Sequence, residues 1–227
     1  MDRNIVNDSK RVSWLLRHGA PERGIAMDPA GWVAVGDVLR ELRLSEQRLD
    51  AVVAQNDKAR FERSGDRIRA TQGHSALGGE GVSLEALEAS WLHHAGDEPI
   101  FHGTSVEAAF SIAKDGILSQ KRSHVHLAPS ATSKVGKRWN VDVLLEVSPA
   151  RVRAHGLPLF QSPNGVVLAR RIPPGCVVGV APLTRKAQGA LQNLRAAFAL
   201  EEAKAGDAGD AKETGLDERA IPGGPGG

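Results

Sequence analysis

The sequence predicts an α+β protein built in two parts, and three observations lead to that prediction. Apolar residues recur at helical spacing through much of residues 9–55, whereas residues 99–180 carry short apolar runs separated by turn residues, as strands do. Residues 76–81 between them are small and glycine-rich, which is typical of a linker. We therefore predict a first lobe at 1–92, a second at 93–184, a C-terminal helix at 185–205 and a disordered tail at 206–227.

The composition is that of a globular protein whose charge is unevenly distributed. Of its 227 residues, 41% are hydrophobic and 25% are charged, which is ordinary. Residues 1–200 hold 26 basic and 20 acidic residues, a net charge of about +6, whereas residues 201–227 hold seven acidic and three basic residues. A basic body with an acidic tail is compatible with a polyanionic partner.

Several classes of protein are excluded by what the sequence lacks. No apolar stretch approaches the length that spans a bilayer, and no signal peptide is visible. A single cysteine, Cys176, rules out an internal disulfide and a cysteine-based zinc site, and we expect it to be a buried small hydrophobe. We expect a cytoplasmic monomer with no membrane contact.

The first part reads as three short helices followed by a hairpin. The predicted helices are Ser9–His18, with Ser9 as the N-cap, then Asp37–Leu42 and Ser45–Gln55; the strands begin at Phe61 and at Arg67. This is the order of elements in a winged-helix module, a class that usually binds nucleic acid, although a fold alone does not establish function.

Two basic clusters in this part are candidates for phosphate binding. Arg67 and Arg69 alternate with Ile68 on a predicted strand, so both guanidinium groups leave the same face, and the arginine fork matches phosphate oxygens. Arg17 and His18 close the first helix. Each cluster also has a simpler interpretation, because the strand is equally explained as an ordinary solvent-facing one and a basic pair complements the dipole at a helix C-terminus.

The second part alternates strands with two helices. The predicted strands are 99–104, 122–128, 141–147, 166–169 and 177–180, and the helices are 106–114 and 131–137, with a further helix from 185. His124, His126 and Ala128 share one face of their strand. Together with His102 these histidines resemble zinc ligands, but no carboxylate is nearby to complete a site, so we expect no metal. Walker A and dinucleotide-binding glycine motifs are also missing.

A series of short motifs then points to one family. In chain order they are Ser9-Lys10, Leu15-Leu16-Arg17-His18, Gly31-Trp32-Val33, Asn56-Asp57-Lys58, Arg67-Ile68-Arg69-Ala70-x-Gln72-Gly73-His74-Ser75, His102-Gly103-Thr104, His124-Val125-His126-Leu127, Gly136-x-Arg138 and Ser162-x-Asn164-Gly165-Val166. Together they resemble the RNA (tRNA) 2′-phosphotransferases of tRNA splicing, NAD-dependent enzymes that remove an internal 2′-phosphate from RNA. The resemblance runs from about residue 9 to about residue 180.

This resemblance implies a fold and a reaction. The fold is an N-terminal winged-helix lobe and a C-terminal lobe of the ADP-ribosyltransferase type. In the reaction, RNA 2′-phosphate and NAD give 2′-hydroxyl RNA, ADP-ribose 1″,2″-cyclic phosphate and nicotinamide through a 2′-phospho-ADP-ribosylated RNA. The implied partners are an RNA bearing a 2′-phosphate and NAD as co-substrate, without a metal.

The resemblance also implies roles for individual residues. The family's essential Arg-His-Arg-Arg group falls on Arg17, His18, Arg69 and Arg138, with Arg122 as the second choice for the last. His102 would hold the NAD ribose, and His126 occupies a place usually filled by tyrosine. Further NAD contacts are expected at Gly103, Thr104, Ser162, Asn164 and Gly165, and further phosphate contacts at Arg67, His74, Ser75 and Arg122.

The chemistry agrees with these roles. A 2′-phosphomonoester is largely dianionic at neutral pH, so it can attack C1″ of the nicotinamide ribose without a catalytic glutamate, and none is found in residues 164–169. The second step builds charge on phosphoryl oxygens, where clustered arginines help, and a histidine can carry the proton. Ala128 and Val167 stand where the family more often has Ser and Trp, which bears on NAD affinity.

Two other functions remain open at this stage. The first is an ADP-ribosyltransferase that modifies terminal phosphates of RNA or DNA and stops after the first step; Arg17, His18 and Arg69, which serve the second step, argue against it. The second is a non-catalytic winged-helix RNA-binding protein. The intact His102-Gly103-Thr104 and Asn164-Gly165 motifs argue against that one.

Overall fold

The computed structural model describes residues 3–56, 58–75, 82–133, 135–136 and 141–200. Its α-helices are α1 (Arg3–Trp14), α2 (Val35–Leu42), α3 (Glu46–Ala54), α4 (Leu84–Ala89), α5 (Val106–Asp115), α6 (Pro149–Ala154) and α7 (Arg185–Ala197). Its strands are β1 (Val33–Ala34), β2 (Phe61–Ser64), β3 (Arg67–Ala70), β4 (Leu92–His93), β5 (Ile100–Thr104), β6 (Ile117–Leu118), β7 (Val125–Leu127), β8 (Val143–Val147), β9 (Phe160–Gln161), β10 (Val167–Ala169), β11 (Arg171–Ile172) and β12 (Val177–Pro182).

The N-terminal part packs three helices against a small antiparallel sheet of order β1-β3-β2. The hairpin pairs Phe61 with Ala70 and Ser64 with Arg67, so that Ile68 points into the core while Arg67 and Arg69 leave the other face. The core of this part is built from α1, α2, α3 and the sheet, and its largest fully buried side chains include Leu15, Leu16 and Leu49.

The C-terminal part is built on two main antiparallel sheets, of order β12-β8-β5 and β4-β9-β10-β7, with a small β11-β6 pair. A backbone bridge between Phe101 and Ala128 joins β5 to the end of β7, with N–O distances of 2.9 and 2.7 Å. Helices α5 and α7 pack on the β12-β8-β5 sheet, where Leu145 and Leu194 are fully buried. Because this bridge is antiparallel, the end of β5 lies beside the start of β7.

The two parts are joined by contacts around Trp91 and Ser75. Leu87 and Trp91 pack on Phe160 and Leu168 of the C-terminal part, and the Trp91 indole Nε1–H donates to the Thr71 carbonyl at 2.9 Å. Ser75 also forms a backbone bridge with Arg122. The segment that follows β3 is therefore held against the segment that precedes β7.

Most predicted elements are confirmed, including the Ser45 cap of α3, whose Oγ accepts from the Arg48 N–H at 3.2 Å. The predicted start of the first helix is wrong: α1 begins at Arg3, and Ser9 lies buried inside it, because serine is favoured at N-caps but is also found within helices. The helix predicted at 131–137 is also wrong, since the described residues 131–133 and 135–136 form turns and bends. Cys176 is buried and free, as expected.

The mixture of helices and strands confirms the α+β class; the winged-helix and ADP-ribosyltransferase lobes stay predictions, and the predicted tail lies outside the described residues. Within the described ranges, no helix combines the length and apolarity needed to cross a membrane.

Candidate active site

A cleft of about 930 Å³ opens where the two parts meet. Its volume is at the upper end of the range of about 300–1,000 Å³ typical of small-molecule sites. The N-terminal part contributes Arg17, Lys58, Arg60 and Gln72 to its lining. The C-terminal part contributes the end of β5, the end of α5, residues 116–122, most of β7 and Asn164. Of its described lining residues five are basic, namely Arg17, Lys58, Arg60, Lys121 and Arg122, and one, Asp115, is acidic.

A π-helical turn carries Arg17 and His18, and Arg17 lines the cleft. The turn spans Leu15–Gly19 and is closed by the Ala20 N–H, which donates to the Leu15 carbonyl at 3.0 Å. Such turns are rare and often mark functional sites. The ring of Trp14 packs against Gly19 so closely that a Cβ there would lie 2.3 Å from it. Glycine is therefore required for this packing.

Arg17 is a half-buried cation that has no described counter-ion. Its guanidinium lies against Gly73, where φ is +89° and a Cβ would stand 3.2 Å from the guanidinium carbon. Its Nε is buried without a hydrogen-bond partner. Burial first, and then the positive charges of Arg122 and Arg60, lower the Arg17 pKa to about 10. An arginine held in this way is suited to an anionic ligand.

His18 lies beside Arg17 and is hydrogen-bonded to Ser75. The distance between its Nδ1 and the Ser75 Oγ is 2.6 Å. Burial, Arg17 and Arg122 lower the His18 pKa, and Glu22 opposes them. Because the pKa moves below its ordinary value of about 6.5, the ring is neutral at pH 7 and able to accept a proton.

His126 is the centre of a hydrogen-bond network at the cleft wall. Arg122 Nη1 donates to His126 Nδ1 at 3.2 Å, and His126 Nε2 lies 2.7 Å from the Gln72 Oε1. Since arginine can only donate, Nδ1 must be the acceptor and Nε2 must carry the proton. Burial and the nearby Arg122 and Arg17 hold the His126 pKa well below its usual value, which keeps the ring neutral.

The His102-Gly103-Thr104 motif forms the end of β5 and lines the cleft, as do His124, His126 and Asn164. His102 Nδ1 donates to the His126 carbonyl at 3.2 Å, which fixes its ring orientation. The expected NAD contacts on β5 and β7 are therefore brought to one wall of the cleft.

The Ser162–Gly165 loop closes one edge of the cleft. Asn164 Nδ2 donates to the Lys58 carbonyl at 2.9 Å, so the loop reaches across to the N-terminal part. Ser162 Oγ lies 2.7 Å from Asn164 Oδ1 and holds the amide in place. Ser162 itself is 2% exposed and does not line the cleft, whereas Gly165 adopts a φ of +79°.

The two arginines of β3, predicted as candidates for phosphate binding, each have a carboxylate partner. Arg69 is 4% exposed, lies within 2.7 Å of a Glu62 carboxylate oxygen and covers Trp32 at 4.7 Å from the ring centroid. Arg67 pairs with Asp28 at 2.6 Å and lies 5.8 Å from the same ring. They do share one face, as predicted, but neither lines the cleft.

His74, which was also predicted as a phosphate contact, lies outside the lining of the cleft. The residue is fully buried, neither ring nitrogen has a hydrogen-bond partner, and the ring lies against Gly31. Burial first, then Arg17 and Arg69, lower the His74 pKa to about 3, so the ring is neutral at physiological pH. Its backbone carbonyl accepts the Ser123 N–H at 3.1 Å.

Of the two candidates for the fourth essential arginine, Arg122 lies in the cleft, where its charge acts on Arg17 and His18. Arg138 lies outside the described residues. Lys58, Arg60 and Gln72 were not predicted as site residues. Gln72 and Lys58 both lie within motifs of the family resemblance, whereas the orientation of Lys58 and Arg60 depends on local backbone geometry that no periodic pattern indicates.

Metal ligation has no support from this geometry, since the described residues contain no group of three or more His, Cys, Asp or Glu side chains arranged to hold an ion. His124 instead sits 3.0 Å from the Glu88 carboxylate and packs edge-on against Trp91. Independence from metal stays a prediction.

Comparison with known proteins gives a consistent match. The model of a family described as "RNA 2′-phosphotransferase, Tpt1 / KptA family" matches residues 3–171. A protein of Pseudomonas savastanoi pv. phaseolicola, named a probable RNA 2′-phosphotransferase, is 36% identical over 176 residues, covering 72% of this chain and 88% of that protein. Similarly named proteins of Rhizobium rhizogenes (36% identity, 73% and 88% coverage) and Pseudomonas fluorescens (34%, 78% and 98%) are also similar.

Proposed function

This chain belongs to the RNA 2′-phosphotransferase family and is a transferase, and we propose that it transfers an internal RNA 2′-phosphate to NAD in two steps. The products are 2′-hydroxyl RNA, ADP-ribose 1″,2″-cyclic phosphate and nicotinamide. The observation that carries this proposal is Arg17, a half-buried guanidinium that has no described counter-ion and lies close to the positive charge of Arg122. A phosphate dianion is the ligand that offsets such a cluster.

The C-terminal wall of the cleft suits NAD. Histidine rings, the Thr104 hydroxyl and the hydroxyls and amide of residues 111 and 119–120 line it, and these groups match ribose hydroxyls, while Lys121 offers charge to a pyrophosphate. His102 is the residue we assign to the nicotinamide ribose, because its ring is fixed by the His126 carbonyl. NAD supplies the ribose carbon that accepts the phosphate.

In the first step, a 2′-phosphate oxygen attacks C1″ of that ribose, the bond to nicotinamide breaks and a phosphodiester forms. The phosphate is already ionised, so the residues of the cleft need only position it. Arg17 and Arg122 hold its oxygens. This placement makes Arg122 the fourth member of the essential group in our proposal.

In the second step, the ribose 2″-hydroxyl attacks the phosphorus and the bond to the RNA 2′-oxygen breaks. The proton lost by the 2″-hydroxyl is returned to the RNA 2′-oxygen, and His18 is the group beside Arg17 that can carry it. Binding of the phosphate offsets the charges of Arg17 and Arg122 that lower the His18 pKa, so the bound anion raises that pKa toward neutrality.

Arg69 takes a supporting role in this proposal. It lies outside the lining of the cleft and close enough to His74 to lower the His74 pKa, as Arg17 also does. Through its contacts with Glu62 and Trp32 it fixes the strand that leads into Gln72 and Gly73, which in turn contact His126 and Arg17.

The experiment that tests the function is incubation with NAD and a 2′-phosphorylated oligonucleotide, followed by identification of the products. We expect 2′-hydroxyl RNA and the cyclic phosphate, with activity retained after exhaustive chelation. Accumulation of ADP-ribosylated RNA without the cyclic phosphate would instead indicate an enzyme that stops after the first step, and no reaction would contradict the proposal.

A further inference from the structure

A turn after α3 brings two cations into the cleft that the two-step reaction does not use. Lys58 and Arg60 both line the cleft, and Arg60 is close enough to Arg17 for its charge to lower the Arg17 pKa. Arg17 and Arg122 already offer two positive charges to a phosphate dianion. Lys58 and Arg60 therefore add positive charge beyond what the 2′-phosphate requires.

The buried residue Asn56 holds residues 58–60 in place through three hydrogen bonds. Its Oδ1 accepts from the Lys58 N–H at 3.2 Å and from Arg60 Nη1 at 3.0 Å, and its carbonyl accepts from the Ala59 N–H at 2.9 Å. Ala59 adopts a φ of +41°, a region that residues with a Cβ rarely occupy. Backbone strain of this kind persists where the surroundings over-determine it, and it clusters at functional sites.

Both parts of the molecule hold the same turn. Asn164 Nδ2, from the loop at the cleft edge, donates to the Lys58 carbonyl at 2.9 Å, and the Thr71 N–H donates to the Arg60 carbonyl at 2.9 Å. The backbone of Lys58 and Arg60 is thus fixed relative to the C-terminal wall and to β3. The two cations are therefore carried at fixed backbone positions beside the cleft.

The chemistry of an internal 2′-phosphate identifies the anion that suits this site. The 2′-phosphate and the phosphodiester on the 3′ side occupy neighbouring carbons of one ribose, so two anions lie side by side. We propose that Lys58 and Arg60 bind that 3′-phosphodiester and thereby select an internal 2′-phosphate over one at the RNA 3′ end. This inference rests on the proposed function, because it assumes that the 2′-phosphate binds at Arg17.

The pyrophosphate of NAD offers the same phosphate chemistry, and the test separates the two sources. Two oligonucleotides with an internal 2′-phosphate are compared, one with the natural 3′-phosphodiester and one with an uncharged methylphosphonate at that linkage. The enzyme is used unaltered and as Lys58→Met, which removes the charge but keeps the backbone bond to Asn164. kcat/KM for each RNA and KM for NAD are measured.

For the unaltered enzyme, we expect the methylphosphonate to lower kcat/KM about 10- to 100-fold, the range of one or two charge-assisted hydrogen bonds. In Lys58→Met we expect kcat/KM for the natural substrate to fall by a similar factor. The methylphosphonate should then lower kcat/KM of this variant little further, because the two changes remove the same interaction. KM for NAD stays the same. The slope of log affinity against log salt falls by about 0.7 in this variant.

Arg60→Gln is the second variant, expected to behave in the same way, and Arg63→Gln is the matched control. Arg63 lies on β2, outside the cleft, and pairs with Glu46 and Asp50. An undiminished methylphosphonate penalty in a folded Lys58→Met enzyme would overturn the proposal, and a raised KM for NAD with that penalty intact would assign the cations to the pyrophosphate. Failure of the unaltered enzyme to dephosphorylate the natural substrate would contradict the proposed function instead.

Discussion

In the sequence, Arg17 looks as well suited to phosphate as the β3 pair, Arg67 and Arg69. In the fold, the electrostatic environments of Arg17 and of this pair are opposite. Arg67 and Arg69 on β3 each pair with a carboxylate and both lie over Trp32. Arg17, on the π-helical turn, has no such partner among the described residues, and its neighbours at the cleft are the arginines that lower its pKa. One group is neutralised within the protein, and Arg17 is held in an unfavourable charged state.

This difference indicates which arginine serves the ligand. A guanidinium already satisfied by a carboxylate and an aromatic face gains less from a phosphate than one that is desolvated and repelled. A folded-state pKa below the ordinary value also means that the positive charge of Arg17 destabilises the fold at every pH below about 10. A cost of this kind is characteristic of functional sites.

The largest expected effect is that of Arg17→Met on turnover. We expect kcat to fall by about 10³-fold or more, the range reported for arginines that stabilise phosphoryl transfer. The melting temperature should stay the same or rise, because the variant keeps the aliphatic stem on Gly73 and removes a charge that opposes folding. Steady-state kinetics and a thermal melt of the same preparation test both statements.

His18→Ala sharpens the comparison by separating the two steps. We expect the second step to slow by about 10²- to 10⁴-fold while nicotinamide release is less affected, so that 2′-phospho-ADP-ribosylated RNA accumulates. Single-turnover analysis of the RNA species measures this. Equal loss of both steps with no intermediate would remove His18 from the proton-carrying role.

Arg69→Ala should act mainly on stability. It removes the Glu62 ion pair and the contact with Trp32, and we expect a loss of about 1–3 kcal/mol, or roughly 2–10 °C in melting temperature for a chain of this size. Differential scanning calorimetry beside Arg17→Met is the measurement. If Arg69→Ala left the melting temperature unchanged and abolished turnover, the division between the two groups of arginines would be wrong.

The smallest expected effect is a shift in the pKa of His18. The charges of Arg17 and Arg122 lower the His18 pKa in the free protein. The ring therefore becomes protonated only at a pH below 6.5, the ordinary pKa of histidine. In Arg122→Gln one of these charges is gone, and the pKa should move up toward 6.5. An NMR titration of the His18 ring measures this, with Arg63→Gln as the control that should leave it in place.

The sequence predicted much of the site because short motifs lie at the ends of regular elements. The His102-Gly103-Thr104 strand end and Arg17, on the turn that follows α1, both line the cleft. Strand alternation also gave the shared face of Arg67 and Arg69 correctly. Alternation fixes a face but not the residues across from it, and the partners Glu62, Asp28 and Trp32 come from other elements.

Other features depended on packing that has no periodic signal. Nothing in the spacing shows that His74 is fully buried while Ser75 beside it reaches His18, or that α1 continues into a π turn. The orientation of Lys58 and Arg60 depends on a positive φ at Ala59. An alanine in a sequence does not predict this conformation, because residues with a Cβ rarely adopt it. Our proposal of Arg122 as the fourth essential arginine likewise rests on the placement of residues 116–122, which no pattern in the sequence indicates.

The central claim, that Arg17 is the arginine reserved for the RNA 2′-phosphate, is tested most directly by a difference in binding. RNA affinity is measured without NAD for one oligonucleotide with and without its 2′-phosphate, in the unaltered protein, Arg17→Met and Arg67→Ala. We expect the 2′-phosphate to strengthen binding in the unaltered protein and in Arg67→Ala, and to lose that effect in Arg17→Met. An effect retained in Arg17→Met and lost in Arg67→Ala would contradict the account.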